Sequence, residues 1–408
     1  MKILMLNANR AGIGTYHRAL HFGHELVRRG HEVTMITVSN TQRFRPEVRQ
    51  EAERFTIIEG PNWGDELLPW HCSGPLDIWL RIREVWTGHY DVVYAFEYQP
   101  NIAIPVAIGR RFRDFTLISD WCDWHAGGSY HFGGYRIAHA IDRYFEERIR
   151  HFADFVTTIN RTLRDRARSI GIADDKLAIV GEGVDPSYIV PMDLRVARRR
   201  LGIADTGPIV GTIRDADSCI AMLCDAVRLV PGVRLLFIGS KPEAALAHAR
   251  RAGITDRMIT PGRVSDADLP AYLAAADILA LPLEDNVVNR GRWPHKLGDM
   301  LAAQRPTVIS RGGEFSQLIE SRGCGVVVDY SAEGFARAIA DVIARPEHHA
   351  PIAKRGRALI EDELNWDVIG ARLAEALDRA VAHHHADRPD RAVDAVVART
   401  SATGTSGN

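Results

Sequence analysis

Residues 257–286 read RMITPGRVSDADLPAYLAAADILALPLEDN. Two short apolar runs, RMITPGR (257–263) and DILALPL (277–283), bracket a longer stretch of helical character. Strands that alternate with helices build βαβ units and a parallel sheet. Outward from here the pattern repeats, with PIVGTI (208–213) and RLLFIGS (234–240) before it and PTVIS (306–310) and GVVVDY (325–330) after it. An earlier series stands apart: KILMLNA (2–8), EVTMITV (32–38), RFTIIEG (54–60), DVVYAFE (91–97), FTLISDW (115–121), FVTTIN (155–160) and LAIVGEG (177–183). The expected fold class is α/β, in two Rossmann-like doubly wound domains. The pattern breaks at GEGVDPSYIVP (181–191), after which a short basic helix over 194–201 leads into GIADTGP (202–208). The expected division is a first domain over 1–185, a second over 186–370, a helix end over 371–385 and a disordered tail over 386–408.

Composition narrows the function. The chain has 408 residues, 46% hydrophobic and 25% charged, enough for two or three domains each with its own core. A formal net charge of -1 supplies no basic field for nucleic acid, so any cationic site must be local. Five scattered cysteines without close Cys-x-x-Cys pairs suggest neither a disulfide framework nor a zinc site, and a reducing cytoplasm fits them best. The apolar run in MKILMLNANRAG (1–12) is too short for a signal peptide or a membrane span and reads as a strand.

In open α/β sheets ligands bind outside the carboxyl ends of the strands, so the loops that follow strands carry the chemistry. NANRAGIGTYHRAL (7–20) follows the first strand, and Gly12 and Gly14 let backbone approach a ligand at a helix start. A nicotinamide dehydrogenase would want a third glycine where His17 stands and an acidic residue closing EVTMITVSN (32–40), so that reading is disfavoured. NRGRWPHKLGDMLAAQRPTV (289–308) places Arg290, Arg292, His295 and Lys296 at a helix N-terminus, where acidic residues are the rule. A solvated basic surface is one reading. The other is that the missing anion belongs to a ligand.

The order of these motifs resembles the retaining glycosyltransferases of family 4, whose two facing Rossmann-like domains form the GT-B architecture around a cleft. The matches are Gly12 to Gly14, Gly183-Val184-Asp185, Gly262-Arg263-Val264-Ser265, Ala275 to Ile278 with Leu281-Pro282, and Asp299 followed by Arg305-Pro306-Thr307-Val308. They span most of residues 1–380. The resemblance implies a nucleoside-diphosphate-sugar donor held by the second domain and an acceptor held by the first, with no dedicated protein nucleophile; the cationic cradle and the lack of an Asp-x-Asp whose carboxylates clearly face the donor lead to the expectation of no metal, and no cofactor is expected. Of the family's paired glutamates, the ribose-binding one falls on Asp299 and the sugar-binding one on Gly291, which has no side chain; Glu284 or Asp285 are the substitutes. Of the arginine and lysine that bind the diphosphate, Arg214 is present and the lysine is missing, with Lys296 and Lys241 as replacements. Gln304 stands where the family has a glycine. Arg263, Val264 and Arg292 complete the expected donor site. Lys296 would also stabilise charge on the leaving diphosphate.

The most distinctive loop of the first half is SDWCDWHAGGSYHFGGY (119–135). Asp120, Asp123 and His125 are candidates for positioning an acceptor hydroxyl, and Trp121, Trp124 and Tyr130 for stacking on sugar rings. Glu97, which ends DVVYAFE, is expected on the same side. The competing reading is that the tryptophans pack and the aspartates cap a helix. Trp79 and Trp86 lie seven apart on one helical face, for which core packing is the default. A membrane-facing patch with Arg81, Arg83, Arg110, Arg111 and Arg113 is the rival. The triple His383–His385 reads as a frayed helix end. Two other functions remain open: a sugar-nucleotide epimerase or hydrolase of the same fold, and a nucleotide-sugar-binding protein without catalysis.

Overall fold

Near-continuous apolar runs such as Ile3–Leu6 and Val92–Phe96 can be buried on both faces, the requirement of a parallel sheet covered by helices on each side. The computed structural model, which describes residues 1–64, 74–125, 136–213 and 217–386, contains two such sheets. The first unit holds β1 (Lys2–Arg10), β2 (Glu32–Val38), β3 (Glu47–Ala52), β4 (Phe55–Gly60), β5 (Val92–Phe96), β6 (Thr116–Trp121), β7 (Phe155–Thr158) and β8 (Leu177–Ile179). Their order is β3-β4-β2-β1-β5-β6-β7-β8. All neighbours are parallel except β3 and β4. The sequence gives no hint of β3: EVRQEA is largely polar and none of its residues is buried, so an edge strand here carries no apolar run.

The second unit holds β9 (Ile209–Ile213), β10 (Arg234–Ile238), β11 (Met258–Gly262), β12 (Ile278–Leu281), β13 (Thr307–Ser310) and β14 (Val326–Val328), in the order β11-β10-β9-β12-β13-β14 and all parallel. Among the parallel strands of each sheet the order reverses at β1/β5 and at β9/β12. These are the points where doubly wound folds take ligands.

The units divide at Gly181/Glu182 rather than at 185/186, and the chain from Gly370 onward packs with the first unit. Three contacts explain that return. Gly370 lies so close to Glu25 that a Cβ would come within 2.1 Å of its carboxylate. Arg379 donates to the carbonyls of Asp175 and Leu177 at 3.0 and 3.2 Å. His384 is buried and lies 3.1 Å from Asp154 and 3.3 Å from Asp114, so the segment read as a frayed end is tied down. Burial pushes the Asp154 carboxyl up, but His384 and Arg110 outweigh it and hold it down at about 2. The expected tail falls almost wholly outside the described residues, which end at Ala386, itself the last residue of the helix Trp366–Ala386.

The helix Pro75–Thr87 corrects another expectation. Trp79 and Trp86 do share a face, but it is the outer one, with the residues 65% and 47% exposed. Leu80 and Val85 fill the inner face. Trp86 stacks on Phe112, itself exposed, with ring centroids 4.9 Å apart and planes within 3°.

Candidate active site

At the carboxyl edge of the first sheet, most of the expected acceptor residues are already engaged with the protein. Asp120 ends fully buried, bonded by Arg18 Nε at 2.8 Å and Nη2 at 3.1 Å and by Thr157 Oγ1 at 2.7 Å. Arg18 also donates to the Gly181 carbonyl. A carboxylate so enclosed holds strands together and offers no oxygen to an acceptor, which corrects its assignment. Trp121 is corrected likewise: it is 1% exposed, its Nε1 donates to Glu146 at 2.8 Å and Arg150 lies over its ring. Asp123 and Trp124 stay half-buried, with Arg166 5.5 Å from the Trp124 ring centroid. Tyr130 lies outside the described residues. Gly12 and Gly14, both at positive φ (75° and 59°), shape the loop after β1, where His17 Nε2 meets the Gly12 carbonyl at 3.0 Å.

Glu97 lies at the β1/β5 reversal and has no exposed surface to present, so it cannot be an acceptor contact as expected. Its backbone is left-handed, with φ 75°, and its carbonyl accepts from Arg150 Nη1 at 3.1 Å. This turns the carboxylate inward, where Oε1 accepts from the Cys122 thiol at 2.6 Å and Oε2 meets His125 Nε2 at 3.1 Å. Glu146 accepts from the His125 backbone N–H at 3.2 Å. Burial opposes charging of His125, yet the Glu97 carboxylate, with Asp123 and Glu146, pushes its pKa up to about 9. Burial likewise opposes charging of Glu97, and His125 and Arg150 hold it below the usual carboxylate range. The cluster of Glu97, Cys122 and Asp123 has ligand atoms within 4.8 Å of one another, but internal hydrogen bonds already account for both Glu97 oxygens.

The second sheet presents its charges differently. Lys241 follows β10 and Arg263 follows β11; both are exposed, and neither side chain makes an ion pair or hydrogen bond among the described residues. Val264 packs on the core. Arg214, directly after β9, lies outside the described residues. Beyond β12, the exposed Asp285 forms a two-point pair with Arg290 at 2.6 Å for both bonds, which lowers the Asp285 pKa. Glu284 is exposed and takes a 3.3 Å bond from Asn286. Gly291 is buried and its N–H is spent on the Val287 carbonyl at 2.9 Å, so it offers no donor to a diphosphate. Arg292 donates to Asn289.

The helix His295–Ala302 carries Lys296 and Asp299. Gly298 lets it lie on Val184, since a Cβ there would come within 2.3 Å of Val184 Cγ2. This close approach sets His295 Nδ1 3.5 Å from Glu182 Oε1, while Lys296 Nζ is 3.5 Å from Asp299 Oδ2. Burial raises the Asp299 pKa, and Lys296 and His295 pull against it. Lys296 itself is half exposed. Glu182, almost fully buried, was missed in the sequence; its place between Gly181 and Gly183 is the signal that would have found it.

Comparison with known proteins agrees with this layout. Residues 13–188 match the model described as Glycosyltransferase Family 4, and residues 206–345 that described as Glycosyl transferases group 1. The GDP-mannose-dependent alpha-(1-6)-phosphatidylinositol monomannoside mannosyltransferase of Mycolicibacterium smegmatis is 29% identical over 244 residues, 56% of this chain and 63% of that protein. The chain thus spans about three fifths of that relative's length. Among solved structures, the sucrose-phosphate synthase of Thermosynechococcus elongatus superposes with a TM-score of 0.75 at 18% identity, covering 93% of this chain and 99% of that one. HepE of Anabaena, solved with UDP-glucose, gives 0.69 at 18% identity, with 93% and 99% covered. Two parallel Rossmann-like sheets, each matched by its own family model, make this chain a member of the group 1, family 4 glycosyltransferases, in the GT-B fold class.

Proposed function

We propose that the chain is a retaining glycosyltransferase that moves a sugar from a nucleoside diphosphate sugar to a hydroxyl of a sugar-containing or natural-product acceptor. The observation that carries this is the pair Lys296 and Asp299, one helical turn apart beside the motif Gly183-Val184-Asp185. Asp299 accepts from the ribose hydroxyls. Lys296, with Lys241 and Arg263 from the neighbouring strand ends, meets the diphosphate, whose negative charge grows as it leaves. The acceptor hydroxyl forms its bond to the anomeric carbon on the face from which the diphosphate departs. The leaving phosphate oxygen takes the hydroxyl proton, so retention needs no protein nucleophile. On the first sheet Asp123 and Trp124, both half-buried, remain to meet the acceptor, whereas His125 is buried with its Nε2 engaged by Glu97. No metal or cofactor is needed, and the cytoplasm is the expected place of work.

The M. smegmatis relative is named for GDP-mannose and HepE was solved with UDP-glucose, so both nucleotide series belong in the test. Thermal shift against GDP, UDP, ADP, TDP and CDP sugars finds the donor, and transfer is then followed with candidate acceptors with and without EDTA. Turnover with water alone would instead indicate a hydrolase or epimerase. Binding without turnover would indicate an inactive binding protein, and loss of activity in EDTA restored by manganese would refute metal independence.

The exposed Trp79, Trp86 and Phe112, with Arg83 and Arg111 beside them in exposed positions, favour docking of this face on an anionic lipid surface. No helix among the described residues is long and apolar enough to cross a membrane. Co-sedimentation with phosphatidylcholine vesicles with and without phosphatidylglycerol tests it: the wild type should pellet with the anionic vesicles and Trp79→Ser/Trp86→Ser should not. Equal partitioning of both proteins would refute it.

A further inference from the structure

The helix His295–Ala302 begins without the groups that usually hold such a start. Its N-cap is Pro294, no side chain caps it, and its first turn holds no acidic residue. The anion comes from another segment. Glu182, with 1% of its side chain exposed, sets Oε1 3.5 Å from His295 Nδ1. The backbone that carries Glu182 is fixed in that place. Gly298, one turn beyond His295, admits Val184 against the helix; the Val184 N–H donates to the Leu364 carbonyl at 2.7 Å; and a β-carbon on Gly183 would run into the Trp366 ring. His295 itself is 49% exposed, and its ring makes no other ion pair or hydrogen bond among the described residues. With Nδ1 facing the buried carboxylate, Nε2 is left for a ligand beside Lys296.

We propose that His295 is a further diphosphate-binding residue, positioned by Glu182, and that its ring takes up a proton from the solvent when a nucleoside diphosphate binds. This rests on the reading of Lys296 and Asp299 as the donor site and deepens it. Without a ligand, an imidazolium here is favoured by Glu182 but opposed by the positive end of the helix and by the adjacent Lys296. A diphosphate on the exposed side adds a second anion. The ring then stands between two anions, donating from Nδ1 to Glu182 and from the newly protonated Nε2 to a phosphate oxygen. Its positive charge is thus made by binding, whereas that of Lys296 is permanent.

The charged groups that face the ring come from two elements. Glu182 lies in the segment before Val184, and Lys296 and Asp299 lie on the helix of His295 itself. Asp266 and Tyr188, from two further segments, act on Asp299. Because Asp299 and the terminal phosphate of the ligand also titrate, the share of the ring is read as the difference between wild type and His295→Gln.

The test is titration calorimetry of the full chain with the tightest binder among GDP, UDP, ADP, TDP and CDP, run in HEPES and in Tris at about pH 7.5, so that the buffer's heat of ionisation counts the protons. Wild type should take up more protons per diphosphate bound than His295→Gln, and the two should not differ with the bare nucleoside. His295→Gln should weaken the diphosphate by about tenfold at about pH 6.5 and by less at about pH 8.5, since the lost group is a charged donor only when protonated. Glu182→Gln should lose most of the extra uptake while binding the nucleoside as wild type does, which also shows that it is folded. His295→Lys, whose charge is fixed, should keep the affinity without the extra proton.

Equal proton uptake, or equal diphosphate affinity, in wild type and His295→Gln overturns the inference; a diphosphate affinity that still falls in Lys296→Ala then leaves the donor-site reading standing. Extra uptake retained in Glu182→Gln overturns the positioning role. If wild type binds none of the five nucleoside diphosphates, the donor-site reading falls and this inference with it.

Discussion

The carboxyl edges of the two sheets are built on opposite electrostatic plans. The first is self-neutralised: Arg18 meets Asp120, His125 meets Glu97, and every one of these groups is buried. The second leaves Lys241 and Arg263 without counter-charges among the described residues, and Lys296 only loosely paired at 3.5 Å with Asp299. Buried charge must be matched within the protein because leaving it unmatched is costly, whereas exposed cations can wait for a ligand. The difference teaches where each substrate's charge is expected. On the proposed function, the donor would bring anionic groups to the second edge, and the first edge would provide a fixed scaffold for a neutral hydroxyl.

Removing one partner of the buried pair should have the largest effect. Asp120→Ala strands Arg18 in the core and should destabilise the first unit by about 3–5 kcal/mol, while Arg18→Met/Asp120→Leu should recover most of that loss. Urea unfolding of the three proteins checks this, and nucleotide affinity in the second unit should be unmoved. A loss below about 1 kcal/mol would mean that the first edge is not held by its paired charges.

A smaller effect follows from His125, whose folded pKa of about 9 exceeds the free value of 6.5. The stability it contributes is fully present below pH 6.5 and is lost as pH rises through 9. The urea midpoint of wild type should therefore fall between pH 6.5 and 10 by more than that of His125→Gln. Parallel profiles would break the claim that this edge is neutralised by a charged pair.

The smallest effect lies behind the second edge. Gln304, half-buried at φ 55° just past the helix His295–Ala302, occupies a left-handed position in which glycine is unstrained. Gln304→Gly should stabilise by about 0.5–1 kcal/mol with no change in nucleotide binding. A destabilised variant would show that the glutamine side chain contributes packing that outweighs the strain.

Much of this was legible in the sequence because parallel strands buried on two faces announce themselves as apolar runs, as in KILMLNA and DILALPL. β3 was not, since EVRQEA at a sheet edge carries no hydrophobic signal. A seven-residue spacing told that Trp79 and Trp86 share a face but not that the face is outward, which depends on what Leu80 and Val85 bury. In SDWCDWH, the inward and outward side chains could not be told apart, because β6 is buried on both faces and Asp120 and Trp121 point into networks made by distant residues. The inward turn of Glu97 comes from a backbone conformation that no residue type signals, glutamate least of all. Lys296 and Asp299 were legible because helical spacing alone puts them on one face.

The contrast between the two edges stands or falls on Lys296. Calorimetric titration of wild type, Lys296→Ala and Asp299→Asn with nucleoside, nucleoside monophosphate and nucleoside diphosphate, in the guanosine and uridine series, separates ribose from phosphate recognition. Lys296→Ala should weaken the diphosphate by roughly ten- to a hundredfold, the worth of one charged hydrogen bond, and leave the bare nucleoside unchanged. Asp299→Asn should weaken nucleoside and diphosphate by similar factors. If Lys296→Ala binds the diphosphate as tightly as wild type does, the cations of the second edge are a solvated surface and the proposed donor site is wrong.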